Sequence, residues 1–335
     1  MALNKSIKIL ESLQHETGLF SASRKDVKTG YNLCWIRDTV YASLGLEAAK
    51  NTAAVRKVYR ALIDIFLKHE YKIDWMISQP LPKEPFRYIH ARYDPVEMKE
   101  MWEEWGNKQN DAIGAVLFKI GELEGKGVKI IRNGNDLRIL QKLVDYLEAI
   151  HYWHDKDNGM WEENEEVHAS SLGACVAGLK SIAKVGGITV QQQLIEKGEE
   201  ALNSLLPRES EAREVDLALL SLIYPYNLAT PQQRDAILKN IEETLVRQRG
   251  VIRYPGDKYH SENNCEAEWT FGFPWLAIIY KQLNNPEKHA YYTRKTLEAM
   301  NENGEMPELY FGQTDRHNEN TPLAWSQSLS VVAIA

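Results

Sequence analysis

Apolar residues recur at helical spacing along almost the whole chain, and runs alternating with the period of a strand are scarce. Two kinds of helix are predicted. One kind is amphipathic with a charged face and covers residues 2–15, 52–69, 136–152, 190–206, 231–247 and 287–300. In 136–152 the side chains of Ile139, Leu140, Leu143, Val144, Leu147 and Ile150 make a single stripe. The other kind is small or apolar on nearly every side and covers 39–49, 112–120, 168–179, 215–223, 269–280 and 323–335. A helix without a polar face has to be buried. The two kinds alternate strictly, amphipathic then buried, six times over. Two concentric rings joined by short turns are the simplest arrangement that covers one kind with the other. The expectation is therefore an all-α fold, an (α/α)6 barrel, with residues 1–335 as a single domain. An open solenoid of helix pairs would show the same pattern, because periodicity does not report closure. Thr189 with Gln192, and Thr230-Pro231 with Gln233, read as capping boxes that start two of the amphipathic helices.

Composition narrows the class. No apolar run reaches the roughly 18 residues of a membrane span. Residues 1–15 carry Lys5, Lys8 and Glu11 inside an amphipathic pattern and lack the apolar core of a signal peptide. Cys34, Cys175 and Cys265 are odd in number and sit in apolar or aromatic sequence, which reads as buried free thiols in a reducing compartment. A cytoplasmic location is expected, with no membrane partner. The net charge of −7 and the lack of a basic block argue against nucleic acid. No glycine-rich loop is present to cradle a phosphate. His151 and His154 have the spacing of one helix face, but no carboxylate–histidine pattern accompanies them. No metal and no cofactor are expected.

Unusual residues collect on the connections that lead from an amphipathic helix into a buried one. In a two-ring barrel these six loops open on one face. The first carries Trp35-Ile36-Arg37-Asp38 and the second Trp105 to Asp111. The third follows the turn signal Asn158-Gly159 with Trp161-Glu162-Glu163. The fourth carries Arg208, Arg213, Glu214 and Asp216, and the fifth Arg253-Tyr254-Pro255 with Glu266, Glu268 and Trp269. The sixth carries Pro307-Glu308-Leu309-Tyr310 and Trp325. One charged residue before a helix is an ordinary cap. Polar and aromatic groups on all six loops of one face indicate a ligand pocket. The proline-bearing segment 71–98 (Pro80, Pro82, Pro85, Pro95) reads as an irregular flap over that mouth. Trp75, Trp102 and Trp153 are expected to pack in the flap or core, and Glu103-Glu104 and Glu165-Glu166 to face solvent.

These residue types suit a sugar. Asp and Arg bind vicinal hydroxyls, and indole or phenol rings stack on apolar C–H faces. Glu162 and Glu308 lie on loops three hairpins apart, hence on opposite sides of a six-membered ring. Opposed carboxyls about 6.5–9.5 Å apart leave room for a water and give inversion at the anomeric carbon. Glu163 is the rival for the acid role and Glu305 for the base; the adjacent Trp161 favours Glu162.

The elements Trp-x-Arg-Asp, Trp-Gly-x-x-Gln-x-Asp-x-x-Gly, Gly-x-Trp-Glu, Arg-Tyr-Pro and Pro-Glu-x-Tyr…Leu-x-Trp-Ser together resemble the glucoamylase family, glycoside hydrolase family 15, in order and over nearly the whole chain. The resemblance implies removal of glucose from non-reducing α-glucan ends with inversion. It implies Glu162 as general acid and Glu308 as general base, with Arg37 and Asp38 gripping the terminal glucose. Trp105, Asp111, Glu163 and Arg253 would line the first subsites, with Trp35, Trp161 and Tyr310 as aromatic neighbours. His168-Ala169-Ser170-Ser171, Leu206-Pro207-Arg208-Glu209-Ser210 with Glu214-Val215-Asp216, and Cys265-Glu266-Ala267-Glu268-Trp269 also resemble the glucoamylase-like module of the phosphorylase kinase α and β subunits. That branch implies an alternative, a catalytically silent glycan-binding or regulatory module. The expected partner is a soluble oligosaccharide or α-glucan.

Overall fold

The computed structural model describes residues 2–80, 87–101 and 105–335. Helices α1 (Ala2–Leu13), α3 (Thr52–Lys68), α6 (Gly134–Ala149), α8 (Gln192–Leu205), α9 (Pro231–Thr244) and α11 (Pro286–Ala299) form an outer ring. The inner ring consists of α2 (Ile36–Ala48), α5 (Asn110–Gly125), α7 (Ala169–Ile182), a 3-10 helix (Leu217–Leu222), α10 (Gly272–Gln282) and α12 (Ala324–Ile334). A further helix, α4 (Glu70–Ser78), packs outside on α6. Each inner element touches the next, and α12 returns to α2, so the ring is closed. The closing contact is polar as well as apolar. The Ser328 hydroxyl accepts from Gly45 N at 2.7 Å and donates to Tyr41 O at 2.6 Å. The fold is an (α/α)6 barrel.

Polar surface decides which ring a helix joins. In α7 every residue but Lys180 is buried. In α6 only the predicted stripe, with Tyr146 and the N-terminal Asp136, goes inward. One continuous apolar cluster fills both rings. Small residues let the inner backbones approach. A Cβ added at Gly114 of α5 would lie 2.3 Å from Ala174 C of α7, and one at Gly178 would lie 2.5 Å from Gly114 O. Two short antiparallel ladders sit at the mouth. Strand β1 (Cys34–Trp35) pairs with β2 (Arg92–Tyr93), and β3 (Glu268–Trp269) with β4 (Leu309–Tyr310).

Several expectations are corrected. The fourth inner element is a 3-10 helix, where an α-helix was predicted over 215–223. Asp216 starts it by accepting from Ala218 N, and Pro225 follows at once; the residue before a proline is held out of the α region. Segment 71–98 is not irregular throughout. Its first part belongs to α4, which buries Ile73 and Met76 on one face, and its far part holds strand β2. Pro82, Pro85, Trp102, Glu103 and Glu104 lie outside the described residues. Trp75 is half-exposed on α4, while Trp153 is buried. The Thr230 capping box forms, but the one proposed at Thr189 does not. Gln141 of α6 takes the Thr189 N–H at 2.7 Å, and α8 starts later. Cys34 and Cys175 are buried free thiols; Cys265 is only half-buried. No helix among the described residues is long and apolar enough to cross a membrane.

Gly114→Ala is expected to lower the unfolding free energy by about 1–3 kcal/mol, the usual cost of overpacking. The urea midpoint reads it, and an unchanged midpoint would show that α5 and α7 can separate without loss.

Candidate functional site

A cavity of about 260 Å³ opens at the end of the barrel where the inner elements begin. Nine of the residues predicted from sequence line it: Trp35, Arg37, Asp38, Trp105, Trp161, Glu162, Glu163, Arg253 and Glu308. They come from five of the six loops. The fourth loop contributes from behind.

Glu162 stands at φ +59°, in the left-handed region that non-glycine residues rarely occupy. Such a conformation costs on the order of 1–3 kcal/mol and survives where the surroundings hold it. The preceding Gly159 has φ +63°, and a Cβ there would lie 2.8 Å from the His168 ring. The tight turn thus depends on glycine, and it delivers Glu162 to the cavity. Three neutral N–H donors meet the carboxylate. Trp35 Nε1 at 2.6 Å and Gln109 Nε2 at 2.7 Å reach Oε1, and Trp105 Nε1 at 2.5 Å reaches Oε2. Oε2 accepts one bond from the protein and keeps a second lone pair.

Glu163 is held quite differently. Arg253 Nη2 donates to Oε1 at 2.8 Å, and Arg213 Nη2 and Tyr254 OH donate to Oε2 at 2.9 and 2.7 Å. Arg253 also forms a fork to Asp257 at 2.6 and 2.7 Å. Asp216, from the fourth loop, accepts from Arg213 at 3.1 Å and from the Trp161 indole at 2.9 Å. Burial, reinforced by Glu209, pushes the Asp216 carboxyl up to about 7, against the pull of Arg213. Next to it, burial pulls the His168 imidazole down, but the Glu209 and Asp157 carboxylates outweigh this and raise it to about 9. An ion-pair chain therefore runs behind the third loop.

Glu308 is fully buried beside β4. Its Oε2 accepts from Asn318 Nδ2 and, at 2.7 Å, from Asn320 Nδ2. Its Oε1 is buried and makes no hydrogen bond of good geometry within the chain, although the Tyr31 hydroxyl is close enough to interact with the carboxyl. Leaving a buried acceptor unsatisfied costs about 1–3 kcal/mol, and such an atom is accounted for by a bound water or ligand. The same holds on the first loop. Arg37 sits 3.6 Å from Asp38 and 3.5 Å from Asp111, yet Arg37 Nε and Asp38 Oδ2 lack hydrogen-bond partners. Burial raises both Asp38 and Asp111 to about 6, with Arg37 pulling them down.

Two predicted residues lie off the cavity wall. Asp111 is behind Arg37, at the start of α5, where it can act on a ligand only through that guanidinium. Tyr310 is buried, and its hydroxyl donates to Ala299 O at the end of α11 at 3.0 Å. Glu305, the rival for the base, lies off the wall as well and accepts from Asn301. Sequence reasoning missed the lining aromatics Tyr31, Tyr259 and Phe271, and it placed Trp269 and Trp325 on the mouth loops without giving them a role. Tyr31 and Tyr259 meet across the rim, hydroxyl to hydroxyl at 3.2 Å. Trp325 stacks on Phe271 at 4.8 Å and on Tyr41 at 4.3 Å, making the apolar floor. The signal available was the density of aromatics in loops one, five and six; loops carry no periodicity that would say which ring turns inward. No group of metal-ligating side chains occurs among the described residues.

Residues 2–334 match the sequence profile of the family described as Glycosyl hydrolases family 15. Among curated proteins, the phosphorylase b kinase regulatory subunit alpha of Oryctolagus cuniculus skeletal muscle is 26% identical over 94% of this chain. The probable regulatory subunit alpha of Caenorhabditis elegans is likewise 26% identical over 94%. The chain spans 31% of the length of each. Among solved structures, a wild-type glycosidase superposes with a TM-score of 0.84 at 16% identity, covering 99% of this chain and 95% of that one. A bacterial glucoamylase complexed with acarbose superposes with a TM-score of 0.70 at 17% identity, covering 99% and 55%. At these identities the structural likeness speaks for the fold.

The raised Asp111 carboxyl has a consequence for stability. The folded state keeps its proton up to about 6, whereas the unfolded chain releases it near 3.8. Between those values the folded state binds more protons, so this group makes stability fall as pH rises, with no further change above about 6. Relative to the native protein, Asp111→Asn should gain stability across that interval. Urea midpoints of both proteins at several pH values test it; a constant difference between them would contradict it.

Proposed function

The chain belongs to glycosyl hydrolase family 15, and from that premise we propose that it is an exo-acting glycoside hydrolase. It releases glucose from the non-reducing ends of soluble α-glucosides and α-glucans with inversion. Glu162 is the general acid and Glu308 the general base. The observation that carries this reading is the pair of carboxyls, from loops three hairpins apart, that line one cavity. Glu308 has one oxygen anchored by two amides, while the other makes no hydrogen bond of good geometry within the chain and has the Tyr31 hydroxyl as its neighbour, which leaves it open to a water. Glu162 meets only neutral donors and keeps a lone pair on Oε2, whereas both Glu163 oxygens are tied to arginines. Glu163 therefore serves binding, and Glu162 takes the acid role.

The reaction balances on these groups. The Glu162 proton passes to the glycosidic oxygen as the bond from the anomeric carbon breaks. Water adds to the opposite face of that carbon and gives its proton to Glu308. An α-linkage yields β-glucose. Arg37 and Asp38 bind the terminal ring through atoms that make no hydrogen bond within the chain. The small cavity, floored by Trp325 and Phe271, suits one sugar ring entering end-on.

A second reading rests on the curated relatives, which are described as regulatory subunits of a kinase. In it the same cavity binds a glycan and does not cleave it. A panel of α-linked glucosides followed by NMR separates the two. First-formed β-glucose supports the hydrolase. Glycan binding without turnover supports the silent module, and first-formed α-glucose removes the two-carboxylate assignment.

Glu162→Gln and Glu308→Gln should each lower kcat by roughly 10²–10⁴. Wild-type rates in either variant would take that residue out of the chemistry. Asp38 offers charged acceptor oxygens to sugar hydroxyls when ionised, above about 6, and below that one oxygen becomes an O–H donor and the acceptor is weaker. Affinity for glucose should thus fall as pH drops through that value, and Asp38→Asn should bind more weakly with a flatter pH profile. Calorimetric titration at pH 5 and 7 reads both effects. Equal wild-type affinity at the two pH values would rule the role out.

A further inference from the structure

We infer that Arg92, a residue off the cavity wall, is a positioning residue for Glu162, acting through the two indoles that hold its carboxylate. The inference rests on Glu162 being the general acid. Trp35 donates to one oxygen of Glu162 and Trp105 to the other, so the two rings together set the plane of the carboxyl group. The Arg92 guanidinium lies over both rings, 5.1 Å from the Trp35 centroid and 4.3 Å from that of Trp105. A planar cation over two indole faces is attracted to each and holds them at a fixed separation. Neither indole can tilt without breaking that contact.

The placement of Arg92 is built in several ways. It is the register partner of Trp35 in the β1–β2 ladder, so backbone pairing fixes the two relative to each other. Ala91 O accepts from Ile36 N at 3.1 Å, tying the same strand to the start of α2. The His90 ring stands edge-on to Trp105 at 5.1 Å, and its Nδ1 accepts from Arg92 N at 3.0 Å. Gly30 leaves the space: a Cβ there would lie 3.2 Å from Arg92 Nη1. The residue is buried, with 9% of its surface exposed. Lysine at this place would supply the charge without the flat face that lies against both rings.

A positioned acid matters only where the leaving group needs a proton. Maltose leaves through a sugar hydroxyl and depends on it. The fluoride of α-glucosyl fluoride is stable as an anion and depends on it much less. Both substrates present the same glucosyl ring, so a loss in folding or in ring binding affects them equally. Arg92→Met is expected to lower kcat on maltose by about 10-fold or more and on the fluoride by less than about 3-fold, with KM for each nearly unchanged. Arg92→Lys should fall between, and it stands in for Arg92→Met if that variant does not fold. Equal losses on the two substrates, or no loss on either, would overturn the inference.

A second measurement needs no turnover. The indole N–H resonances of Trp35 and Trp105 should move in the variant, while that of Trp275, which donates to Tyr224 O far from Arg92, stays in place. Unmoved Trp35 and Trp105 resonances would overturn the inference as well. If the native protein cleaves neither substrate, the hydrolase reading fails and Arg92 is judged on these resonances alone.

Discussion

Neighbouring inner helices of this barrel touch backbone to backbone, and the mouth takes its width from that contact. Gly114 and Gly178 allow it between α5 and α7, Gly45 between α2 and α12, and Gly173 accepts Leu222 of the 3-10 helix. A methyl group at Gly114 or Gly178 would meet the backbone of the facing helix and push α5 and α7 apart. Because every inner element starts at the same end, loops distant in sequence converge there. Asp38 and Asp111 fall in the first turns of α2 and α5, where the positive ends of the helix dipoles favour a carboxylate. Burial works against that, and for both groups burial prevails. Tight packing and ready-made ligand atoms are thus two results of one geometry.

A crowded mouth full of ionisable groups has to be supported from behind. The chain Asp257–Arg253–Glu163–Arg213–Asp216 does this on the third, fourth and fifth loops. Removing one partner from such a buried pair typically costs 3–5 kcal/mol, because the other charge is stranded. Among the buried atoms that make no hydrogen bond within the chain, Glu308 Oε1, Asp38 Oδ2 and Arg37 Nε belong to residues of the cavity wall. Paired groups such as Asp257 and Asp216 stand behind the wall, and Glu308, Asp38 and Arg37 line the cavity. Glu162 lines it as well, strained in its backbone and held by neutral donors that are themselves clamped. The two mouth ladders perform the fine alignment, since each pairs a site tryptophan or its neighbour with a residue from another loop.

The ring plan was legible in the sequence. Strict alternation of one-sided and all-apolar helices leaves little choice but two layers, and a residue such as Ile139 or Val176 carries its layer in its neighbours three and four positions away. The loops carrying Trp35, Glu162 and Glu308 were legible for a related reason. Charged and aromatic residues piled before buried helices have no packing purpose that would repeat six times. Local rules failed where a distant group took over a local bond. Thr189 has the residues of a capping box, but Gln141 of another helix occupies its N–H. The 3-10 helix was called α because Leu217–Leu222 is apolar on every side, and apolarity reports burial without reporting pitch.

Sequence alone determined which helices are buried, how many hairpins there are and at which end of the barrel the charged and aromatic loops collect. These follow from periodicity and composition, which are local properties of the chain. Only the tertiary structure decided the division of labour at the mouth. It put Asp111 behind Arg37, turned the Tyr310 hydroxyl toward Ala299, tied Glu163 to two arginines and left Glu162 to two indoles under Arg92. The environment of a carboxyl is made by partners from other loops, 90 residues away for Glu163 and Arg253 and 127 for Glu162 and Trp35. No spacing along the chain encodes that distance; it exists only once the ring has closed.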